Sequence, residues 1–222
     1  MIDFNELAGA IAGSKDAPQL RLRQGVIQSV NANGTCSVKI GGSAVTITNV
    51  KVAAHVCPIP TASCFLATDG RDWFVLATIA PQGPAYGSMR LSVAQSFTTA
   101  TFTELSWANR TDTASTGTTL GSNGITTLVP GLYSVSATLT FTGNATGQRI
   151  LRLLKNSTTE YQGIAVSAPG SVICRLQVAG IIKCAINDVI NIDGYQSSGA
   201  NLSTDISGGA NRLTATWIGP VS

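Results

Sequence analysis

The chain has 222 residues, of which 11% are charged, and its formal net charge is +3. An average soluble protein has roughly 25% charged residues, so hydroxyl and amide groups must make most of the hydrogen bonds between this protein's surface and water. The basic residues form no run, whereas binding through phosphates needs about 6 to 10 basic contacts on one surface. The composition therefore disfavours nucleic acid as a partner, and 44% hydrophobic residues do not fit a disordered chain.

The N-terminal segment, residues 1–18, spaces its apolar residues from Phe4 to Ile11 as a short helix would. An isolated helix of this length is marginal in water, so we expect an arm that orders against a neighbour, or else a frayed terminus. Asp3, the lack of a leading basic cluster and the interrupted apolar run argue against a secretory signal. No later stretch reaches the roughly 18 apolar residues of a membrane span, so membrane insertion is not expected.

Residues 19–80 alternate between short apolar-rich stretches and turn residues. The pairs Asn33-Gly34 and Gly41-Gly42 supply the positive φ that tight hairpin turns require. About five strands in roughly 60 residues predict a small closed barrel, because closure removes the edges of an antiparallel sheet. The predicted strands are LRLRQGVIQSV, TCSVKI, SAVTITNVKV, CFLAT and DWFVLATIA.

Proline and glycine are concentrated in APQGPAYGS, which predicts a domain boundary with a linker at 81–88. Beyond it, residues 89–222 show sustained alternation. GLYSVSATLTF puts apolar residues on one face and Ser134, Ser136, Thr138 and Thr140 on the other, as in a half-buried antiparallel strand. RILRLLKNS, SVICRLQVAGIIKCA, DVINIDGYQSS and NRLTATWIG repeat this theme, which predicts a sandwich or jelly roll.

RILRLLKNS is apolar on both of its faces. A strand of this kind needs cover on both sides, and a neighbouring subunit can provide it. This pattern favours an oligomer.

The five cysteines are an odd number, which argues against a closed disulfide framework. Cys174 and Cys184 point to the same face of one predicted strand, where ten residues at about 3.3 Å each separate them by roughly 33 Å. A disulfide requires Cα atoms within about 7 Å. The cysteines are therefore expected to be buried free thiols.

His55 is the sole histidine, so any histidine-dependent catalysis would have to use it. Cys57 lies two residues on, and Cys64 could supply a third metal ligand. The spacing lacks the paired ligands that make zinc sites recognisable. We expect a structural role for this cluster in the barrel wall, with no metal and no cofactor.

No pair of carboxylates stands out as glycosidase machinery, which needs two acids about 5 to 9.5 Å apart. Asp69 and Asp72 flank a Gly-Arg turn, where Asp side chains readily hydrogen-bond the backbone, so a role in the turn explains both residues. Asp188 is most simply a turn residue, and Asp193 and Asp205 are isolated candidates. The chain is expected not to be an enzyme.

The C-terminal half resembles the globular head of complement first component and the related tumour-necrosis-factor-like jelly rolls. The resemblance is carried by the segment of Phe97 and Phe102, by GLYSVSATLTF after VPG, and by RILRLLKNS, INDVINIDGYQSS and NRLTATWIG. The final strand departs from the family, because its aromatic content is only Trp217 followed by Ile218. The resemblance implies a compact three-fold assembly used for recognition. In such a trimer some aromatic residues would face the three-fold axis and the others would be core; the candidates are Tyr133, Phe141, Tyr195 and Trp217.

The N-terminal half resembles the oligonucleotide/oligosaccharide-binding-type barrels that begin many phage tail and baseplate proteins. The shared order is a GVI-x-SV strand, a Gly-containing turn, TCSVKI, and a late strand with Gly70, Trp73 and Leu76. This layout implies a homotrimeric tail-tip, receptor-binding or baseplate protein, made in the host cytoplasm and resident in the virion. The barrel would dock on other virion proteins, and the jelly rolls would bind a host surface glycan or protein. The alternatives are a capsid decoration protein or head fibre and, less favoured, a polysaccharide-degrading enzyme.

Overall fold

Both halves of the described chain are built from β-strands, as the alternating sequence predicts. The computed structural model describes residues 21–79, 84–108, 110–163, 165–167, 172–207 and 211–220. The expected arm at residues 1–18 lies outside this description. The chain divides into two units, Met1–Pro81 and Gln82–Ser222.

The first unit is a closed five-stranded barrel, which confirms the predicted architecture. The strands follow the order β1-β2-β3-β5-β4, and β4 pairs with β1 to close the ring. All neighbours are antiparallel except β3 and β5, which are parallel. The strands are β1 (Arg21–Val30), β2 (Cys36–Ile40), β3 (Thr46–Val52), β4 (Ser63–Thr68) and β5 (Trp73–Ile79).

Inward-facing residues of all five strands fill the barrel, because side chains alternate between its two surfaces. Gly34 and Gly42 have φ values of 80° and 74°, which confirms the two predicted hairpin turns. The barrel core consists of Ile27, Cys36, Val38, Val50, Val56, Cys64, Leu66 and Val75.

The second unit is a jelly roll of two main sheets, with a separate two-stranded pair formed by Ser96–Phe97 and Leu202–Ser203. One sheet has the order β16-β12-β19-β6-β9, and the other has the order β10-β11-β17-β13-β14, with β8 against β17 and β15 against β13. The strands are β6 (Tyr86–Leu91), β7 (Ser96–Phe97), β8 (Thr103–Glu104), β9 (Arg110–Ala114), β10 (Thr118–Gly121), β11 (Gly124–Thr127), β12 (Gly131–Phe141), β13 (Gln148–Lys155), β14 (Thr158–Gln162), β15 (Val166–Ser167), β16 (Cys174–Cys184), β17 (Val189–Gln196), β18 (Leu202–Ser203) and β19 (Arg212–Gly219).

The first jelly-roll strand, β6, begins at Tyr86 and therefore inside the segment 81–88 that was expected to be a linker. Tyr86 pairs with Thr216 of β19, so pairing with a distant strand overrides the local turn signal of the neighbouring Pro and Gly residues. The ordered jelly roll thus starts before residue 89.

The jelly-roll core lies between the two sheets. Leu139 and Phe141 of β12 meet Phe97, whose ring lies 5.2 Å from that of Phe141 in an edge-on arrangement. Gly194 of β17 lies directly against this cluster, where the close packing leaves no space for a side chain. Burial of these aromatic and aliphatic groups is the main force holding the sheets together.

Replacing Gly194 with Ala should destabilise the protein, because the added Cβ would lie 2.5 Å from Leu139 Cδ2 and 2.8 Å from Phe97 Cε1. Overpacking of this kind costs about 1 to 3 kcal/mol of unfolding free energy. Gly219 is the matched control, since no atom lies within 4 Å of its added Cβ. Denaturant unfolding of the full chain should show that Gly219→Ala changes the unfolding free energy by less than about 0.5 kcal/mol. Equal losses for both variants would contradict this packing.

Candidate functional site

The histidine and cysteines that the sequence singles out do not form a reactive cluster. His55 is exposed in a turn after β3, which corrects the expectation that it belongs to the barrel wall, while Cys57 and Cys64 are buried. Within the described ranges, no group of three or more His, Cys, Asp or Glu side chains is placed to hold a metal ion. The closeness of these residues in the sequence is therefore not matched by a metal-binding arrangement in the described ranges.

All five cysteines are buried. Burial raises the pKa of the Cys36 thiol to about 12 and that of Cys64 to about 11. Because the thiolate is the nucleophilic form, these groups are poor nucleophiles at neutral pH. Their role is to fill the barrel core.

The aspartates serve local structure. Asp69 Oδ1 accepts hydrogen bonds from backbone N–H groups two and three residues on, at 2.9 and 2.8 Å. Asp188 and Asp205 likewise accept N–H groups of their own turns. Asp193 instead forms a two-point ion pair with Arg152. The turn interpretation explains Asp69 and Asp188. It does not explain Asp72, whose carboxylate pairs with Lys51 Nζ at 2.8 Å, and Asp193 is held by a cation on the neighbouring strand.

Three of the four aromatic candidates for a trimer axis are buried within a single chain: Tyr133, Phe141 and Trp217. Tyr133 donates its hydroxyl to the Val129 carbonyl oxygen at 2.7 Å, which is typical of a satisfied core tyrosine. Tyr195 is only partly buried and lies on β17, outside the five-stranded sheet, so the axial position predicted for it would require contact through the other sheet.

A row of small side chains crosses the outer surface of the five-stranded sheet. Ser136 of β12 pairs with Ala179 on one side and Thr214 on the other, and the row continues through Ser88 to Thr113. The Ser136 and Thr214 hydroxyl oxygens lie 2.7 Å apart in a hydrogen bond. We call this surface, together with the next row, the hydroxyl face; its members are Ser88, Thr113, Ser134, Ser136, Ala179, Thr214 and Thr216.

The hydroxyl face is bordered by apolar residues at one end and by arginines at the other. Ile181 and Ile218 are 54% and 49% exposed beside Ser134 and Thr216. At the opposite end Arg90 and Arg212 lie directly across from each other on β6 and β19. The charges are thus confined to the border, and the centre of the face carries small uncharged side chains.

Three uncharged loops meet at one end of the jelly roll: 98–101, 142–147 and 197–201. The Gly199 N–H donates to Thr99 Oγ1 at 3.1 Å. The buried amide of Gln196 donates to the carbonyl oxygens of Phe97 and Ala200 at 2.9 and 2.8 Å. We call these loops the loop end; the buried amide of Gln196 fixes their backbone by hydrogen bonds to carbonyl oxygens.

The outside of the barrel carries an apolar patch on three adjacent strands. Leu22 and Val26 of β1, Phe65 of β4 and Ile79 of β5 are between 36% and 58% exposed. Gln24 pairs with Phe65, and Ser63 pairs with both Val26 and Ile79, so the four side chains share one surface. Grouped exposed apolar side chains of this kind mark interaction sites. We call this surface the barrel patch.

The described part of the chain has no helix with the length and apolar character needed to cross a membrane.

No protein-family model and no curated protein sequence matches this chain. Among solved structures, Eiger TNF from S. frugiperda is 10% identical, with a TM-score of 0.47, over 63% of this chain and 96% of its own. The PRD1 vertex protein P5 is 19% identical, with a TM-score of 0.47, over 61% of this chain and 96% of its own. The globular domain of zebrafish complement 1qA protein is 14% identical, with a TM-score of 0.42, over 61% and 97%.

The buried thiols make the protein less stable at alkaline pH. The folded pKa values of Cys36 and Cys64 lie above the ordinary value, so unfolding releases protons once the pH exceeds the unfolded thiol pKa of about 8.5. Their contribution to stability is complete below that pH and is lost as the pH rises through the folded values. Between pH 7 and 10, the melting temperature measured by thermal unfolding should therefore decline less in Cys36→Ala than in the unmodified chain. Parallel declines would contradict the assignment.

Proposed function

We propose that this chain is a non-enzymatic structural protein of a bacteriophage virion, which trimerises through the hydroxyl face of its jelly roll and binds a host surface through the loop end. The proposal is supported by the uncharged centre of the hydroxyl face, where small Ser, Thr and Ala side chains are aligned. Within the virion, we place the protein at the tail tip or baseplate. This placement follows from the resemblance of the chain's layout to phage tail proteins.

The hydroxyl face suits contact with another copy of the chain. Ser, Thr and Ala lose little side-chain entropy when they are buried, and no charged group at the centre has to be desolvated. Hydroxyl groups both donate and accept, so two such faces can satisfy each other's hydrogen bonds. Ile181 and Ile218 add apolar area at one end. A three-fold arrangement is favoured by the resemblance to complement-head and TNF-like jelly rolls.

The loop end suits a neutral ligand rich in hydroxyl groups. Its three loops carry Ser, Thr and Asn side chains and no charge. Two buried side chains fix these loops. One is Gln196, and the other is Arg149, whose guanidinium donates to the Thr146 and Gln148 carbonyl oxygens at 3.0 and 2.9 Å. Such preorganised polar groups bind without a large ordering cost. A surface glycan is therefore the ligand class we favour, with a host protein as the alternative.

The barrel patch supports attachment of the first unit to another virion protein. Leu22, Val26, Phe65 and Ile79 would be removed from water in that contact. This assignment divides the labour between the two units: the barrel docks on the particle, and the jelly roll recognises the host.

Trimerisation can be tested with Ser136→Arg, which places a charge at the centre of the hydroxyl face. Light scattering at micromolar concentration should give the unmodified chain a mass three times its 22.8 kDa. Ser136→Arg should shift the mass toward one chain, because burying an unpaired charge is strongly unfavourable. Thr119→Arg is the matched control on an exposed position of the other sheet, and it should stay trimeric. An unmodified chain that is monomeric would overturn the proposal.

Host binding can be tested with fluorescently labelled protein and the bacteria on which the virion grows. The trimer should decorate the cells and compete with virions for adsorption. Ala145→Arg, at an exposed position of the loop end, should bind at least tenfold more weakly, whereas Thr119→Arg should bind normally. Ser136→Arg should lose the avidity of three linked sites, so its apparent affinity for cells should fall by about 10² to 10⁴-fold. Binding to isolated capsids instead of cells would replace this function by head decoration.

A further inference from the structure

The proposed function leaves one cavity of the barrel unused. It has a volume of about 420 Å³, within the range of roughly 300 to 1,000 Å³ that is typical of small-molecule sites. Mouths of β-barrels are among the places where such sites occur. We call the cavity the barrel mouth; it is lined by Arg21, Arg23, Thr68, Asp69, Gly70 and Trp73.

Strand pairing explains how the two arginines reach this cavity. Arg21 and Arg23 have the same parity on β1 as Ile27, whose side chain is buried inside the barrel. Arg23 pairs with Leu66, which is fully buried, and Arg21 pairs with Thr68 at the end of β4. The apolar core therefore ends at Leu66. The two guanidinium-bearing positions, about 6.6 Å apart along the strand, stand where the interior opens.

The barrel mouth has an excess of positive charge. Within the residues that the structure describes, the ion pairs are Lys51–Asp72, Arg110–Asp112 and Arg152–Asp193, and none of them involves Arg21 or Arg23. Asp69 brings one negative charge to the cavity lining. Its Oδ1 already accepts two backbone N–H groups of its turn. The two arginines are thus left to bind an anion, since a guanidinium matches a carboxylate or a phosphate through two parallel hydrogen bonds.

Trp73 adds a flat apolar surface beside these cations. Its side chain is partly buried and packs against the barrel core, which fixes the indole in place. An indole offers a large rigid apolar area at low entropic cost. Thr68 Oγ1 accepts the Gly70 N–H at 3.0 Å, so its own hydroxyl proton remains available to donate.

We propose that the barrel mouth binds an anionic sugar unit. The carboxylate or phosphate of the sugar pairs with Arg21 and Arg23, the apolar side of its ring lies against Trp73, and ring hydroxyls bond to Thr68 and Asp69. Two cations next to an aromatic plane select a ring that carries an oxyanion over a neutral sugar. The site belongs to the barrel alone, so it does not depend on trimerisation or on the loop end.

Calorimetric titration of the full chain with glucuronate, glucose 6-phosphate and glucose tests this site. At least one anionic sugar should bind saturably, and glucose should bind at least tenfold more weakly. Binding of glucuronate alone assigns a carboxylate, and binding of glucose 6-phosphate alone assigns a phosphate. Arg23→Gln should reduce the affinity by about tenfold or more, because it removes a charge-assisted pair.

Arg71→Gln is the matched control, because Arg71 is an exposed arginine of the adjoining turn that does not line the cavity. This variant should bind the anionic sugar normally. The proposal is overturned by equal binding of glucose, by equal losses in Arg71→Gln and Arg23→Gln, or by no saturable binding. Displacement of the sugar by a single-stranded oligonucleotide that binds tenfold more tightly would also overturn it, in favour of nucleic acid. None of these outcomes depends on the oligomeric state.

Discussion

The register of β12 against its two neighbours is the constraint on which the jelly roll depends. This strand pairs with β16 along its whole length and with β19 along most of it. Because side chains alternate with a period of two, a slip of one residue would exchange the buried face for the exposed one. The same pairing that buries Tyr133 and Leu139 therefore also aligns Ser136 with Ala179 and Thr214 on the outside. The core and the hydroxyl face are two consequences of one register.

The two units offer different chemistry on their surfaces. The centre of the hydroxyl face and the loop end are uncharged, whereas the barrel mouth combines Arg21 and Arg23 with the indole of Trp73. A neutral surface allows close approach between copies of the chain or to a glycan, because little charge has to be desolvated. A cationic cavity selects a small anion. The low charge content of the chain makes this local concentration of arginines stand out.

The strands could be predicted from the sequence because alternation is a local signal, and GLYSVSATLTF matches β12 residue for residue. The hydroxyl face could be predicted only in part. The side of β12 with Ser136 was evident, but its alignment with Thr214 depends on pairing between residues far apart in the chain. Arg149 shows a second limit of prediction from the sequence. It lies buried on the core side of β13, where its guanidinium donates hydrogen bonds to loop carbonyl oxygens. His55 shows a third limit, because its exposure in a turn depends on how the surrounding chain folds.

The central claim is that the five-stranded sheet meets other copies of the chain through its hydroxyl face. Electron cryomicroscopy of the purified full-length protein tests this claim most directly, because it locates that sheet within the assembly. The account predicts a three-fold particle in which Ser136 and Thr214 of each subunit are covered by a neighbouring subunit. A particle in which these residues face solvent, or in which the subunits meet through the opposite sheet, would contradict it.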